Sequence, residues 1–455
     1  MFGKFDEESL CYIATYFNRK MISLSDISKR QDSKFVKKIR IRAFEKLVEP
    51  LKIPDKTAFF VGSVDFMVQN ENGDKRFIVL ETNGGSSRGI LSLSSEQIDL
   101  IFNAYKLAID ESITNDHKLI VIGSIPNDLL FQEKIILAEF LKSKYEIEGF
   151  SVGIFNSFNF EPSFVSNFDI IIIIANYNNL LEHLSFKNDY ITFKGQNINI
   201  LIGDGIARRF PIISAYMKND LNKIKTLIVN KIYQITDDKA NTYLTLNFIN
   251  ETLKKFRILN LKFYKASDPF NLEKIIDMVI QNSKKNFIIK PYASSGGVGI
   301  QPVLSKNSKE QVSEIMQKSI SEFYEKFDSW RTPFPYTIQE MVNFSLIDYL
   351  NSKRTFDIRI YIIQKDGIFY PVGGQGRIAK YPFTGSLKKE EFVVNISGYG
   401  GIDTDRVIPF SEEGLKILNL SEEDLADMFA AGCYIFKGII ENYNKVMNFS
   451  NWDKL

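Results

Sequence analysis

The sequence predicts an α+β protein with a smaller α/β unit inserted into it, and two kinds of pattern support this prediction. Ala58–Asn83 and Asp357–Val372 each place two strand patterns around a short turn, which is typical of antiparallel hairpins. Residues 116–232 instead alternate continuous β-branched runs with helical patterns, which favours a small parallel sheet. A chain of 455 residues is long enough for two or three packed units. The predicted units are residues 1–115, 116–232 and 233–455.

Composition excludes several classes of protein. Apolar residues make up 44% and charged residues 25% of the chain, and the net charge of +2 gives no reason to expect a nucleic-acid or membrane partner. Two cysteines, Cys11 and Cys433, exclude a disulfide framework and favour a reducing cytoplasm. The start of the chain shows no apolar stretch of a signal peptide, and the longest apolar run, Ile170–Ala175, is too short to cross a bilayer. We therefore expect a cytoplasmic, enzyme-sized protein.

The first half of the chain reads as helices, then the first hairpin, then the alternating unit. Residues 5–50 look mainly helical, and the turn of the hairpin falls at Asn70–Lys75. A helix is predicted at Leu91–Glu111. The alternating unit then supplies predicted strands at His117–Gly123, Gly149–Phe155 and Asp169–Ala175, with a helix at Glu133–Tyr145.

The second half begins with a helix that Thr236 or Asp237 can cap, with Lys239 in its first turn. A cation is unfavourable there unless it points at a bound anion. The elements predicted after it are a strand at Phe287–Ile289, a helix at Lys309–Phe327, a strand at Tyr336–Val342, the second hairpin, and a helix at Glu422–Val446.

A glycine-rich loop follows the strand that delivers Lys290. Its small residues are Ser294, Ser295, Gly296, Gly297 and Gly299. Such a loop lets backbone N–H groups approach an anionic oxygen, and a neighbouring lysine supplies a point charge suited to phosphate. The loop is neither a P-loop nor a dinucleotide fingerprint, because the residues that close those motifs are missing. The alternative is an ordinary flexible turn.

The first hairpin carries a group of oxygen donors. Asp65 lies in one strand, and Glu81 and Asn83 lie on one face at the end of the next. Two carboxylates and an amide oxygen suit Mg²⁺, which prefers carboxylates together with nucleotide phosphates. A solvated polar end of a sheet is the alternative. A second glycine-rich loop, residues 84–89, follows directly.

The order of these motifs resembles the ATP-grasp superfamily. The matching features are Asp-Lys at a helix start, the strand-Lys-Pro-glycine loop, Gln-Glu-Met-Val, Asp-x-Arg, a later Arg, and Asn-x-Ser-x-x-Gly-Gly. The family's metal-binding Asp-Phe and Glu-x-Asn, normally near the C-terminus, are found here as Asp65-Phe66 and Glu81-Thr82-Asn83. The resemblance therefore implies a circularly permuted ATP-grasp fold with an inserted, Rossmann-like pre-ATP-grasp domain, and it covers residues ~35–90 and ~230–405. Termini that lie close together make such a permutation physically easy.

The resemblance implies a role for each matching residue. Lys239 and Lys290 would contact ATP phosphates beneath the loop of Ser294, Ser295, Gly296, Gly297 and Gly299. Adenine and ribose would be held by Gln339, Glu340, Met341, Val342 and Asp348. Asp65, Glu81 and Asn83 would hold Mg²⁺, with Mn²⁺ as a substitute. Arg377 would steady the charged intermediate, and Arg359 would serve either the phosphate or the acceptor, unless it forms a structural ion pair with Asp357. Substrate contacts would come from Ser86, Ser87, Arg88 and Asn395.

The activity that the resemblance implies is ATP-dependent, ADP-forming ligation of a carboxylate to an amine or thiol through an acyl phosphate. The alternatives are a phosphotransferase on the same fold and a catalytically silent nucleotide-binding module. Arg88, Arg208, Arg209 and Arg377 favour an acidic carboxylate substrate, although surface placement explains Arg208 and Arg209 equally well. The expected partners are a small-molecule or peptide carboxylate and an amine, and the resemblance is compatible with a homodimer.

Overall fold

Three large sheets organise the protein, and helices pack on each of them. The computed structural model describes residues 31–71, 73–84, 89–112, 117–124, 130–203, 224–327, 331–394, 396–398, 401–402 and 404–452. The mixed α/β architecture is consistent with the predicted α+β class, whereas the circular permutation and the identity of the inserted domain stay predictions. Across the described ranges, no helix combines the length and the apolar character needed to cross a membrane.

The central sheet, called the core sheet below, has six antiparallel strands and joins the two predicted hairpins to each other. Its strands are β1 (Val61–Glu71), β2 (Asp74–Asn83), β15 (Leu346–Tyr349), β16 (Ser352–Lys365), β17 (Ile368–Ile378) and β20 (Val407–Pro409), numbered in chain order. The order across the sheet is β2-β1-β16-β17-β20, and β15 pairs with β16. Asp366 and Gly367 form the tight turn between β16 and β17 with φ of 52° and 74°, a geometry that favours Asp-Gly.

The two faces of the core sheet differ in chemistry. Side chains such as Val64, Phe66 and Ile360 point to an apolar face, where they pack with residues of two long helices. These helices are α1 (Ser33–Lys46) and α12 (Glu422–Glu441). The alternate residues form a polar face in the middle of the sheet, and this polar face carries most of the site described below.

The predicted helix Glu422–Val446 is two helices in the structure. The chain breaks at Asn442, between α12 and α13 (Tyr443–Met447), because the Asn442 side chain donates to the carbonyl of Gly438 and competes with the helical backbone. The apolar stripe predicted along this helix is confirmed as core, since all of its members are buried. They are Leu425, Met428, Phe429, Cys433, Phe436 and Ile439.

A five-stranded parallel sheet lies within the predicted unit 116–232. Its strands are β3 (Lys118–Ser124), β4 (Val152–Asn156), β5 (Ile170–Asn176), β9 (Ile200–Gly203) and β10 (Leu227–Val229), in the order β10-β9-β3-β5-β4. Helices α2 (Ser95–Glu111), α3 (Phe131–Ile147) and α4 (Tyr177–His183), and a small sheet of β6 (Leu184–Lys187), β7 (Tyr190–Phe193) and β8 (Gln196–Asn197), accompany it. The β-branched runs of β3 and β5 are buried on both faces, which is why these strands show no polar alternation.

A four-stranded antiparallel sheet forms the third layer. Its order is β11-β14-β12-β13, with strands β11 (Phe263–Ala266), β12 (Phe287–Lys290), β13 (Gln301–Val303) and β14 (Tyr336–Glu340). One face packs against α8 (Pro269–Ser283) and α9 (Lys309–Lys326). The other face meets α6 (Lys239–Phe248), which follows α5 (Tyr233–Thr236) and precedes α7 (Asn250–Lys254).

The remaining described elements are short. They are α10 (Lys389–Phe392), β18 (Ser397–Gly398), β19 (Gly401–Ile402), α11 (Glu412–Leu418) and three 3₁₀ segments at Ile90–Ser92, Pro162–Asn167 and Thr404–Arg406.

Candidate functional site

Lys239 meets Glu81 at the junction of the core sheet and α6. Helix α6 begins at Lys239, and its N-cap is Asp238, whose carboxylate accepts from the N–H groups of Ala240 and Asn241. The predicted caps, Thr236 and Asp237, therefore precede the true cap by two residues and one residue. Three successive polar side chains could each cap the helix, and the helix begins after the last of them. The Lys239 Nζ lies 3.2 Å from Glu81 Oε2. A predicted phosphate ligand and a predicted metal ligand thus form an ion pair.

Lys290 lies beside this pair, at the end of β12. Its Nζ is buried and donates to the hydroxyl of Tyr243 at 2.8 Å and to Gln339 Oε1 at 2.5 Å. Burial, helped by the charge of Lys239 and opposed by Glu81, lowers the pKa of Lys290 to about 7. We call Glu81, Lys239, Tyr243, Lys290 and Gln339 the lysine cluster.

Tyr243 is the member of the lysine cluster that the sequence analysis missed. Its hydroxyl donates to the carbonyl of Leu80 at 2.6 Å and accepts from Lys290, so it joins the edge strand of the core sheet to the four-stranded sheet. A signal for it existed, because Tyr243 follows Lys239 by four residues and therefore lies on the same face of α6.

The glycine-rich loop after β12 uses glycine where the backbone takes positive φ. Gly296, Gly297 and Gly299 have φ of 64°, 74° and 70°. Ser295 is exposed, and the hydroxyl of Ser294 is buried with no hydrogen-bond partner among the described residues.

The far end of this loop is held by α9. Glu322 accepts from the N–H of Gly299 at 3.1 Å and from the ammonium of Lys389 at 2.6 Å, while the Gly299 carbonyl accepts from Ser319. The loop is therefore anchored at Gly299.

The residues predicted to hold adenine and ribose fall in two places. Gln339 belongs to the lysine cluster. Glu340, the last residue of β14, pairs with Lys285, and the N–H of Met341, just after the strand, donates to the Asn286 carbonyl. Met341 and Val342 are half-buried. Asp348 lies instead in β15 of the core sheet, where its exposed side chain pairs with Lys353. Its assignment to ribose stays a prediction.

Two arginines and two aspartates form a buried network on the polar face of the core sheet, which we call the arginine clamp. Both oxygens of Asp65 accept from Arg359, at 2.7 Å each, and Oδ2 also accepts from Arg377 at 2.8 Å. Asp357 accepts two further bonds from Arg377, at 2.7 Å each. Arg359 therefore pairs with Asp65 across the strands, rather than with its sequence neighbour Asp357.

The pKa values of the two aspartates in the arginine clamp are shifted in opposite directions. Burial alone would raise the pKa of Asp65, but the guanidiniums of Arg359 and Arg377 outweigh burial and hold that pKa well below its ordinary value. For Asp357, burial dominates over Arg377, and the pKa is raised. One edge of the network stays open, because the Nη1 of Arg377 donates no hydrogen bond within the described part of the chain.

The lysine cluster and the arginine clamp adjoin through one pair of residues. Asp65 of β1 and Glu81 of β2 are register partners, so both side chains lie on the same face of the core sheet. Asn83, two residues after Glu81, lies opposite Ser63, and both carry a buried polar atom without a hydrogen-bond partner among the described residues. Acid, amide, lysine and arginine groups thus converge along the edge of the polar face.

Some predicted residues lie outside the described ranges. They are Ser86, Ser87, Arg88, Arg208, Arg209 and Asn395, and their assignments stay predictions. Across the described residues, no three acidic, histidine or cysteine side chains gather into a group that could hold a metal ion by themselves.

Two of the solved structures to which this chain is loosely similar illustrate the likeness. A glutathione synthetase-like effector from Globodera pallida matches with a TM-score of 0.40 and 12% identity, over 83% of this chain and 86% of that chain. A D-Ala:D-Ser ligase from Enterococcus faecalis matches with a TM-score of 0.30 and 10% identity, over 69% of this chain and 98% of that chain. No protein-family model matches the chain, and no curated protein matches it by sequence.

Proposed function

We propose that this chain is an ATP-dependent, ADP-forming ligase that joins a carboxylate to an amine or thiol through an acyl phosphate. One observation carries the proposal. Glu81, Lys239 and Lys290, which the motifs assign to metal and phosphates, come from three distant parts of the sequence and meet in one cluster. A structural ion pair would account for Glu81 and Lys239, but it would not explain a second, buried lysine beside them.

Each part of the site has a role in this proposal. Lys239 and Lys290 bind the phosphates, and the loop at Gly296–Gly299 covers them. The segment from Gln339 to Val342 lies against the base. Arg377 uses its open Nη1 to stabilise charge on the transferring phosphoryl group or on the acyl phosphate, because preorganised cations lower the free energy of such charge.

The reaction has two steps. A carboxylate oxygen of the first substrate attacks the γ-phosphorus of ATP, and the bond from that phosphorus to the bridging oxygen breaks, which releases ADP and leaves an acyl phosphate. The amine or thiol of the second substrate then attacks the acyl carbon, phosphate leaves, and the attacking group loses its proton. Coverage by the glycine-rich loop excludes water, which would otherwise hydrolyse the acyl phosphate.

Mg²⁺ fits the oxygen donors at the end of β2. Mg²⁺ is commonly held by one or two carboxylates together with substrate phosphates and waters, and Mn²⁺ prefers the same oxygens. The Glu81 side chain is 33% exposed, and Asn83 lies two residues further along β2, on the same face. Glu81 and Asn83 would hold the ion, which would neutralise phosphate charge. Metal binding by Asp65 stays a prediction, since both its oxygens accept from guanidiniums.

That engagement of Asp65 favours a second candidate function, a nucleotide-binding module without catalysis. If Asp65 is only a partner of Arg359 and Arg377, the metal site has lost one of its three predicted ligands. The two candidates predict the same nucleotide binding and differ in turnover.

Product analysis tests the proposal. Purified protein with Mg-ATP would be screened against carboxylates paired with amines and thiols, with ADP and phosphate measured together. A ligase releases both only when a carboxylate and an acceptor are present, and Lys290→Ala and Glu81→Ala should each lower the rate by about 100-fold or more. Glu251→Ala, at a side chain that is 85% exposed, is the matched control. A phosphorylated product would indicate a phosphotransferase, and nucleotide binding without any ADP release would indicate the silent module.

A further inference from the structure

A lysine of the four-stranded sheet holds the N-cap of α6. Asp238, the cap residue, is 4% exposed, and its Oδ1 accepts from the N–H groups of Ala240 at 2.9 Å and Asn241 at 3.3 Å. Its Oδ2 accepts from the Nζ of Lys265 at 2.7 Å. Hydrogen bonds between charged groups are stronger than neutral ones, and both carboxylate oxygens are engaged, so the cap is fixed from two sides.

Lys265 also holds the first turn of α6 at a second point. Its Nζ donates to Asn241 Oδ1 at 3.0 Å. Lys239, the first residue of the helix, lies between Asp238 and Asn241 in the sequence. One ammonium group therefore restrains the chain on both sides of Lys239.

The register of the four-stranded sheet explains why Lys265 reaches this turn. Thr337 in β14 is the register partner of both Lys265 in β11 and Lys290 in β12. Register partners point to the same face of a sheet, so both lysines lie on the face that meets α6. Lys290 contacts Tyr243 in the middle of that helix, whereas Lys265 contacts its start. Lys290 thus belongs to the lysine cluster, and Lys265 supports the helix end that carries Lys239.

Trp452 covers the ammonium group of Lys265. The Lys265 Nζ lies 4.3 Å from the centroid of the indole ring. Trp452 follows α13, and its ring packs against Phe449, which in turn contacts Phe248 at the end of α6. An aromatic face attracts a cation more strongly where water is excluded, and the side chains of Lys265 and Asp238 are only 17% and 6% exposed. The segment after α13 therefore stabilises the ion pair that holds the cap.

The same turn borders the first glycine-rich loop. The N–H of Ala293, one residue before Ser294, donates to the carbonyl of Asp237 at 3.3 Å, and Asp237 directly precedes the cap. A shift of the α6 start would therefore move Lys239 and the start of this loop together.

We infer that Lys265 and Trp452 are positioning residues for phosphate binding, because they hold the Asp238 cap and thereby fix Lys239 at the start of α6. This inference rests on the proposed function for the assignment of Lys239 to phosphate. Neither residue needs to touch the nucleotide, since both act through the first turn of the helix.

A double-mutant cycle tests whether Lys265 acts through the cap. The full-length single variants are Lys265→Met and Asp238→Asn, which keeps a good cap residue but loses the charge that the ammonium binds. Lys274→Met, at an exposed position of α8, is the matched control. Two quantities are measured for each protein: the Kd for a non-hydrolysable Mg-ATP analogue, and hydrogen exchange of the peptide covering residues 238–248.

The inference predicts that Lys265→Met raises this Kd by about three- to tenfold and speeds exchange of the peptide, while Lys274→Met changes neither. In the Asp238→Asn background, Lys265→Met should have little further effect, because residues that act through one another are not additive. An equal effect of Lys265→Met in both backgrounds would overturn the inference, as would faster exchange with an unchanged Kd.

Trp452 is tested by two further variants. Trp452→Leu removes the aromatic face and should raise the Kd, whereas Trp452→Phe keeps that face and should restore most of the affinity. Equal affinities of the two variants would overturn the role of Trp452. Absence of nucleotide binding by the wild type would instead count against the proposed function, and exchange of the 238–248 peptide would then decide whether Lys265 and Trp452 hold this turn.

Discussion

The carboxylate of Glu81 lies 3.2 Å from the ammonium of Lys239, although the sequence motifs assign the first to a metal ion and the second to phosphate. Each residue neutralises the other without any ligand. Binding of a metal–nucleotide complex would replace this ion pair by two new ones, between Lys239 and phosphate and between Glu81 and the metal. Under the proposed function, the pair would keep both charges compensated in the nucleotide-free protein.

Replacing Glu81 should separate nucleotide binding from turnover. Glu81→Gln removes the competitor for Lys239, so we expect a fluorescent ATP analogue to bind about two- to fivefold more tightly without Mg²⁺, the scale of a partly exposed ion pair. ADP release with Mg²⁺ should fall by about 100-fold, because a metal ligand is lost. Titrations with and without Mg²⁺ measure the first effect, and Glu251→Gln is the control. Weaker metal-free binding would show that Glu81 organises Lys239 rather than restraining it.

Lys290 should make nucleotide affinity depend on pH. Its pKa of about 7 means that the free protein loses this charge as the pH rises through neutrality, whereas phosphate binding favours the charged form. We expect the Kd of a non-hydrolysable Mg-nucleotide to rise between pH 7 and 9, by up to about tenfold per pH unit, and to level off below pH 7. Lys290→Arg should flatten the profile because arginine stays charged.

The lowered pKa of Lys290 should also affect folding stability, which we expect to rise with pH where nucleotide affinity falls. The pKa of Lys290 lies below its ordinary value of 10.5, so the unfolded chain binds more protons between the two values and stability rises with pH across that window. Lys290→Met should remove this rise in urea denaturation measured between pH 7 and 9. A rise of the same slope in the variant would assign the effect to other groups.

Local patterns in the sequence predicted the elements that depend on neighbouring residues. The Asp366-Gly367 turn was found because only a few residue types accept positive φ at both positions. Lys239 at a helix start and Lys290 at a strand end were found for similar reasons. The buried runs of the parallel sheet were recognised because a strand covered on both faces needs no polar residues.

Long-range pairing could not be predicted in this way. That β1 pairs with β16, which brings Asp65 to Arg359, depends on contacts between residues 294 positions apart. The sequence analysis considered Asp357 as the partner of Arg359 because the two are close in sequence and share a face. In the structure Asp65 pairs with Arg359 and Asp357 pairs with Arg377, each on a neighbouring strand. The register of the sheet determines these partners.

The stability of an Asp65→Asn variant should show whether Asp65 serves the arginine clamp or binds a metal ion. Asp65→Asn leaves two buried guanidiniums without their shared carboxylate, so we expect a loss of about 3–5 kcal/mol in the free energy of unfolding. Asp357→Asn should cost less, because burial already raises the pKa of Asp357 and disfavours its charge. Asp348→Asn, at an exposed ion pair, should change stability by less than about 0.5 kcal/mol. Urea denaturation measures all three.

A different result for Asp65→Asn would change the interpretation of the site. Wild-type stability together with a weakened dependence of ADP release on Mg²⁺ would assign Asp65 to the metal. Loss of stability with an unchanged requirement for Mg²⁺ would restrict the metal donors to Glu81 and Asn83.

Replacing Glu322, which anchors the first glycine-rich loop at Gly299, should loosen this loop while Lys239 and Lys290 stay unchanged. Glu322 holds the Gly299 N–H and Lys389, and Glu322→Gln removes the charge that binds both. We expect faster hydrogen exchange over residues 291–300 and a KM for ATP raised about three- to tenfold, because a looser loop costs more conformational entropy to order on phosphate. Glu325→Gln, at an exposed position of the same helix, should leave both values unchanged. Faster exchange with an unaltered KM would mean that this loop does not close on the nucleotide, and the assignment of Gly296, Gly297 and Gly299 to phosphate would have to be abandoned.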